Sequence, residues 1–184
     1  MNFISNLIPL LVLISHIGIA IFFLGLLFVY AGFINRKGTI GKLYDLIAVH
    51  SLPIVFLISL AGVAGSLYYS EIIGFPPCVL CWWQRVFLYP ITILSGMGFL
   101  KRDKQIIDYA IVFALIAFLI GLYQYIGQFF TGILPCDAAG VVSCSKIYVS
   151  AYGYITIPLM ALTLSVMILA VLVFAAFGVK RSRQ

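Results

Sequence analysis

The chain has 184 residues, of which 64% are hydrophobic and only 9% are charged, and its mean hydropathy is +1.20. This composition excludes a water-soluble globular protein, because too few polar groups are available to cover its surface, and it indicates a protein solvated by lipid. The net charge of +6 is typical of nucleic-acid-binding domains, but membrane proteins carry the same excess in their cytoplasmic loops. The positions of the charged residues along the chain distinguish a nucleic-acid-binding domain from a membrane protein.

Five apolar stretches are long enough to cross the hydrocarbon layer of a membrane, which takes roughly 20 helical residues. Their continuous hydrophobicity predicts helices rather than the alternating strands of a membrane barrel. In chain order they are Leu7–Ile34, Leu46–Tyr69, Val79–Leu100, Ile106–Phe130 and Ile155–Phe177. The sequence therefore predicts an all-α integral membrane protein with five transmembrane helices.

The first stretch, Leu7–Ile34, is interpreted as a retained helix rather than a cleaved signal peptide. Residues 1–6 contain no lysine or arginine, and the apolar run is too long for the hydrophobic core of a signal peptide. We expect residues 1–45 to form an additional N-terminal transmembrane helix with a cytoplasmic loop. Residues 46–184 are then expected to form a four-helix bundle.

Nine of the eleven basic residues fall on one side of the membrane in this arrangement. They are Arg36, Lys37, Lys42, Lys101, Arg102, Lys104, Lys180, Arg181 and Arg183. The positive-inside rule makes that side cytoplasmic, so the N-terminus is predicted outside and the C-terminus inside a cell membrane (inner or plasma membrane). The net charge therefore requires no nucleic-acid partner. The sequence predicts that the chain contacts membrane lipid.

All four cysteines fall on the predicted outer side of the membrane. Cys78 and Cys81 stand where the third helix begins, and Cys136 and Cys144 lie in the last outer loop, 131–154. Disulfides form and persist in such an oxidising compartment. This placement makes disulfide chemistry the leading functional hypothesis.

The first cysteine pair has the spacing C-x-x-C and follows Pro76-Pro77, which ends any preceding helix. Cys78 and Cys81 are therefore predicted in the first turn of the third helix. The exposed amides and the positive end of the helix dipole there favour a thiolate over a thiol. The spacing alone is shared by redox motifs and by half of a zinc site.

Arg85 follows Cys81 by one helical turn, about 6 Å deeper and on nearly the same face. Burying its charge costs several kcal/mol, so we expect Arg85 to face the bundle interior or a polar ligand rather than lipid. Its guanidinium is suited to stabilising a Cys81 thiolate and to donating hydrogen bonds to a quinone carbonyl. Snorkelling to the outer interface is the alternative.

Cys136 and Cys144 are separated by seven residues in a polar loop that contains turn-forming residues. A static disulfide that closes the loop is one interpretation. Because a second cysteine pair lies on the same side of the membrane, a relay by thiol–disulfide exchange is the better one. The aromatic segment 147–155 is expected at the membrane interface, and we hypothesise that it keeps the loop near Cys78.

The remaining polar residues of the apolar stretches give weaker indications. Gln124 and Gln128, one turn apart on the fourth helix, are suited either to a quinone pocket or to interhelical hydrogen bonds. His16 and His50 lack metal-ligand spacing, so packing or interface roles are favoured. No metal site is predicted from these residues.

Residues 78–85, CVLCWWQR, together with the later pair Cys136/Cys144 between the last two helices, resemble the bacterial disulfide-bond formation protein B family and its shorter BdbC-type members. The resemblance covers about residues 46–177. It implies a four-helix bundle that reoxidises an extracytoplasmic, DsbA-like dithiol oxidase of the thioredoxin fold. The electrons end on a membrane quinone, ubiquinone or menaquinone.

The resemblance also implies a role for each cysteine. Cys136 forms the mixed disulfide with the partner oxidase, and Cys144 then exchanges with Cys78. Cys81, near Arg85, reduces the quinone through a thiolate–quinone charge-transfer complex. These four assignments are carried over by position in the motif.

The sequence departs from the family pattern at two places. The helix Leu7–Ile34 has no counterpart in the usual four-helix pattern, and Gln84 stands where the best-known members carry an acidic residue. Three other functions stay open: a vitamin K epoxide reductase-like quinone reductase, a four-thiolate metal-binding protein and a scaffold with two stabilising disulfides. In the first of these the loop pair precedes the C-x-x-C, and in the second the adjacent arginine repels the cation.

Overall fold

The computed structural model describes residues 3–30, 46–130 and 142–181 of the chain. Five α-helices account for most of these residues, and a short π-helical turn, Tyr68–Ile72, continues the second of them. The helices are α1 (Phe3–Tyr30), α2 (Ser51–Leu67), α3 (Val79–Lys101), α4 (Ile106–Gly127) and α5 (Ile157–Arg181). The described ranges contain no β-strand, and the predicted all-α fold is confirmed.

Four helical segments within the described ranges are long and apolar enough to cross a membrane. They are Asn6–Gly25, Ser51–Ile72, Ile106–Gly127 and Ile157–Phe177. Helix α3 has a comparable length of 23 residues, but the polar Gln84 and Arg85 near its start lower its hydropathy. The fifth span therefore stays a prediction, as does the orientation of the chain.

Helices α2 to α5 form a closed four-helix bundle in which α3 packs on α2 and α4, and α5 packs on α4 and α2. Small side chains at the centre, such as Ala110 and Ala114, allow the helices to approach closely, and Ile91, Ile168 and Leu172 fill the space between them. All five are essentially inaccessible to solvent. The outward-facing residues of the bundle are apolar, as a lipid environment requires.

Helix α1 lies outside this bundle and packs against α5. The ring of Phe22 meets that of Phe174 edge to face, with 5.9 Å between the ring centroids. The opposite face of α1 exposes large apolar side chains, among them Ile17 and Ile21. The division into residues 1–45 and 46–184 stays a prediction, and the loop that would join the two parts lies largely outside the described residues.

Candidate functional site

The cysteine pair Cys78/Cys81 marks the start of helix α3. Gly74 has a φ of +82°, which is accessible to glycine without strain, and it turns the chain before the two prolines. Cys78 is the N-cap residue with an extended backbone, and its carbonyl accepts the first helical hydrogen bond, from Trp82 N–H at 3.1 Å. Cys81 follows in the first turn, so Cys78 lies just before the turn in which both residues were predicted.

The two thiols of this pair are free and lie in direct contact, with 3.1 Å between their Sγ atoms. Cys78 is only 5% exposed, whereas Cys81 is partly exposed. The hydrogen bond with Cys81, and after it burial, raises the pKa of Cys78 above the ordinary thiol range. The helix N-terminus was expected to favour a thiolate at both cysteines, and the raised pKa of Cys78 runs against that expectation for one of them.

Gln124 on helix α4 reaches both sulfurs. Its Nε2 amide donates to Cys78 Sγ at 3.2 Å and to Cys81 Sγ at 3.5 Å, and the side chain is only 2% exposed. The sequence left a quinone pocket and interhelical bonding as two alternatives for this residue. The structure places Gln124 at the cysteines themselves, where its amide stabilises negative charge on sulfur.

Arg85 points from α3 towards α2 rather than outward along its own helix. Its Nε donates to Ser66 Oγ at 3.0 Å, and its Nη2 donates to the Ser66 carbonyl oxygen at 3.2 Å. The guanidinium also lies over the ring of Trp82, 5.2 Å from the centroid. These contacts hold the charge in place, while Nη1 has no hydrogen-bond partner in the described ranges.

The π-helical turn Tyr68–Ile72 follows two residues after Ser66, and no feature of the sequence predicted it. Single π-turns within α-helices occur frequently at functional sites. The ring of Tyr69 stacks on Phe75 at 6.1 Å between centroids, and Phe75 stacks on Tyr148 at 5.0 Å. This row of three rings attaches the segment after Cys144 to the end of α2.

Cys144 lies against the C-x-x-C pair. It is disulfide-bonded and only 1% exposed, and it forms one small buried cluster with Cys78, against which Leu80, Cys81 and Val142 pack. The fourth cysteine of the sequence, Cys136, lies outside the described residues. The structure thus brings together three of the four predicted redox cysteines.

A cavity of about 700 Å³ opens beside these sulfurs, between α1, α2 and α5. Such a volume is typical of sites that enclose a small organic ligand, roughly 300–1,000 Å³. Cys78, Cys81, Cys144 and Arg85 line one end of it. Most of the remaining wall is apolar.

Several polar atoms at this end of the cavity are buried without a hydrogen-bond partner among the described residues. They are Gln84 Nε2, Gln124 Oε1, Gln128 Nε2 and Tyr69 Oη. Buried polar groups are nearly always paired, so a row of unpaired ones indicates a site that a polar ligand or water completes. Donors and acceptors are both present, which fits a ligand with carbonyl or hydroxyl oxygens.

The sequence profile of the family described as disulfide bond formation protein DsbB matches residues 49–176. The chain belongs to the DsbB family. The chain is 44% identical over 108 residues to the SPbeta prophage-derived disulfide bond formation protein B of Bacillus subtilis, covering 59% of this chain and 73% of that protein. It is 35% identical over 136 residues to a probable disulfide formation protein of Coxiella burnetii, covering 73% and 92%.

A probable disulfide formation protein C of Halalkalibacterium halodurans is 40% identical over 116 residues, which cover 61% of this chain and 83% of that protein. No solved structure matches the chain. The predicted resemblance to the DsbB family is confirmed. The chain is accordingly a multi-pass membrane oxidoreductase with a role in disulfide bond formation.

Membership of the DsbB family weakens the alternatives that the sequence left open. The family match favours the predicted resemblance over a vitamin K epoxide reductase-like protein. Within residues 3–30, 46–130 and 142–181 no group of three or more His, Cys, Asp or Glu side chains is arranged to hold a metal ion. Helix α1 lies outside the matched residues 49–176.

Sequence reasoning missed Ser66 and Thr156. It assigned the segment 147–155 to holding the cysteine loop but missed the rings on which Tyr148 depends, Phe75 and Tyr69. Thr156 Oγ1 donates to Gln128 Oε1 at 2.8 Å and so joins the start of α5 to the end of α4. A serine or threonine in an apolar helix gives no signal of its own, because its hydroxyl usually bonds the backbone of its own helix. Only the packing of α2 and α5 against their neighbours identifies these partners.

Proposed function

We propose that the chain is a membrane thiol:quinone oxidoreductase. It reoxidises an extracytoplasmic, DsbA-like dithiol oxidase of the thioredoxin fold and passes the electrons to ubiquinone or menaquinone, which sustains disulfide formation in exported proteins. The observation that supports this most directly is one cavity lined by Cys78, Cys81, Cys144 and Arg85. The role of the DsbB family in disulfide bond formation supports it as well.

The two cysteine pairs act in series in this proposal. A thiolate of the reduced partner attacks Cys136 in the Cys136–Cys144 disulfide, so that this bond breaks and the mixed disulfide forms. The released Cys144 thiolate then attacks Cys78 in the Cys78–Cys81 disulfide. In each turnover the partner's two thiols become a disulfide, and their two electrons and two protons pass first to Cys136–Cys144 and then to Cys78–Cys81. Each pair is reduced to two thiols and returns to a disulfide. The buried contact between Cys144 and Cys78 supports this order.

Within the second pair, Cys81 is the proposed electron donor. The raised pKa of Cys78 keeps the shared proton on that sulfur, so negative charge develops on Cys81. Gln124 Nε2 donates to both sulfurs, and hydrogen bonds to a charged acceptor are about twice as strong as those to a neutral one. Gln124 is therefore a positioning residue that favours the thiolate at Cys81.

The polar end of the cavity fits a quinone ring. Arg85 Nη1, Gln84 Nε2 and Gln128 Nε2 are donors that would hold its carbonyl oxygens, and the last two are buried and otherwise unpaired among the described residues. A bound quinone supplies the terminal oxidant, because it takes up two electrons and two protons and leaves as a quinol. The Arg85 contacts to Ser66 keep the cation facing this end rather than lipid.

The arrangement in the membrane is also part of the proposal. Nine basic residues on one side favour a cytoplasmic position for the loops that follow α1 and α3 and for the C-terminal tail. The redox cysteines then lie on the extracytoplasmic side of the inner or plasma membrane. Residues 46–184 would carry the reaction, and residues 1–45 would be an addition to it.

A quinone-dependent oxidation assay with each cysteine replaced in turn tests the proposal. Cys81→Ser is expected to abolish quinone reduction by every thiol donor. Cys136→Ser is expected to block oxidation of the thioredoxin-fold partner but to leave quinone reduction by a small membrane-permeant dithiol intact. Normal turnover by Cys81→Ser would overturn the mechanism, and partner oxidation by Cys136→Ser would overturn the order of the relay.

A further inference from the structure

Helix α1 contributes one wall of the cavity, although it lies outside the residues that the DsbB family shares. Val12, Ser15, Gly18, Ile19 and Phe22 line the cavity. Their spacing of three or four residues places them on one face of the helix. The cavity is therefore completed laterally by an element that the four-helix bundle does not include.

Two hydrogen bonds fix this wall to the bundle. Thr163 Oγ1 donates to the Leu159 carbonyl oxygen at 2.8 Å, so its only proton is in use. His16 Nε2, 2.8 Å from the same hydroxyl, must then be the donor in that contact. Its other nitrogen, Nδ1, accepts from Tyr154 Oη at 3.4 Å, and the two rings stack at 5.9 Å. Helix α1 is thus fastened to α5 and to the turn that precedes it.

The α1 side of the cavity offers little polar recognition. The hydroxyl of Ser15 donates to the Val12 carbonyl oxygen of its own helix at 2.7 Å. The other lining residues of α1 are apolar or glycine. A ligand that occupies both ends of the cavity therefore needs a polar ring near Arg85 and an apolar chain near α1.

We infer that α1 forms the binding wall for the isoprenoid side chain of the quinone and so makes the enzyme selective for long-tailed quinones. This inference rests on the proposed thiol:quinone activity and extends it. The volume of about 700 Å³ is far larger than one aromatic ring, which leaves room for several isoprene carbons along α1. Because the surrounding lipid is as apolar as this wall, α1 recognises the tail by shape and van der Waals contact rather than by removing it from water.

Gly18 gives direct access to this wall. A Cβ atom added at Gly18 would meet no atom within 4 Å, and the residue lines the cavity. Gly18→Leu therefore adds a side chain at the wall assigned to the tail, and its Cβ atom displaces no protein atom. Ala20 is exposed on α1 and does not line the cavity, so Ala20→Leu adds similar bulk outside the site and serves as the matched control.

The experiment uses the full chain in lipid nanodiscs and two quinones with the same ring, one without a side chain and one with several isoprene units. Gly18→Leu is expected to raise the KM for the long-tailed quinone roughly tenfold, as steric overlap in a filled site does, and to leave the KM for the tailless quinone unchanged. Gly18→Ala should give a smaller rise in the same direction. Ala20→Leu should match the wild type with both quinones.

A second measurement does not depend on turnover: the amount of long-tailed quinone extracted from each purified variant. It should fall for Gly18→Leu and stay at the wild-type level for Ala20→Leu. Equal values of KM and of bound quinone for these two variants would overturn the role of α1 while leaving the proposed function intact. An equal rise in KM for both quinones would also overturn it. A wild-type protein that reduces and binds neither quinone would overturn the proposed function and this inference together.

Discussion

Replacing Gln124 with leucine removes the amide that contacts both sulfurs while keeping a side chain of similar size. The structure gives hydrogen bonds of 3.2 Å to Cys78 Sγ and 3.5 Å to Cys81 Sγ from the same Nε2 atom. A hydrogen bond to a charged group contributes about 1.5–3 kcal/mol. Because only the thiolate form of the pair benefits by that amount, Gln124→Leu should slow electron transfer from Cys81 by roughly 10- to 100-fold.

Two assays separate this effect from a general loss of structure. The first is the rate of quinone reduction by the reduced protein, and the second is the rate at which a small alkylating reagent modifies Cys81, which reports its thiolate fraction. Gln128→Leu is the control, because Gln128 lines the same cavity one turn further along but its Oε1 bonds Thr156, not sulfur. It should weaken quinone binding and leave alkylation of Cys81 unchanged. Wild-type alkylation and reduction rates in Gln124→Leu would refute the reasoning.

Two other replacements test separate contacts of the site. Arg85→Lys removes the forked contact with Ser66 but keeps the positive charge. It should raise the KM for quinone by about tenfold or more and change turnover at saturating quinone little. An unchanged KM would contradict the role assigned to Arg85. Tyr148→Ser breaks the stack on Phe75, worth about 0.5–1.5 kcal/mol, and should slow exchange between the two cysteine pairs roughly three- to tenfold in rapid-quench alkylation. Tyr152→Ser removes an exposed aromatic ring of the same segment and should leave that rate unchanged.

The helices were predictable because a long apolar run has few alternatives in a membrane. Every backbone polar group there must be satisfied within the segment, so a run of roughly 20 apolar residues becomes a helix. The ends were less accurate: the run expected to reach Phe130 is helical only to Gly127. The run expected from Leu46 is helical from that residue, but a turn at His50 interrupts it before α2 begins at Ser51. The π-helical turn Tyr68–Ile72 depends on tertiary packing, and no pattern in the sequence predicted it.

Site residues could be predicted where their residue type is unusual in an apolar helix. They could not be predicted where their role depends on which face of a helix packs against its neighbours. Cys78, Cys81 and Arg85 stand out because thiols and a guanidinium are unusual at the start of an apolar helix. Gln124 did not, because α4 is apolar on all sides and no stripe indicates which face meets α3. The contact between Cys144 and Cys78 likewise depends on tertiary packing, which spacing along the chain does not determine.

The role of α1 likewise could be predicted only in part from the sequence. Its length and apolarity predicted a helix, and His16 was expected in packing or at an interface, which its bond to Thr163 confirms. Nothing in the sequence indicated that Ser15 and Gly18 line a cavity shared with the redox cysteines. That relation appears only when α1 is seen against α2 and α5.

The central claim is that the Cys78–Cys81 dithiol gives its electrons to a quinone, and an anaerobic single-turnover measurement tests it most directly. In a variant with Cys136→Ser and Cys144→Ser only this pair can be oxidised, because no other cysteines remain in the sequence. The account predicts that the reduced variant forms one quinol and one Cys78–Cys81 disulfide per chain, and that a further Cys81→Ser replacement abolishes both. Quinol formation that persists without Cys81, or a dithiol that stays reduced in the presence of quinone, would contradict it.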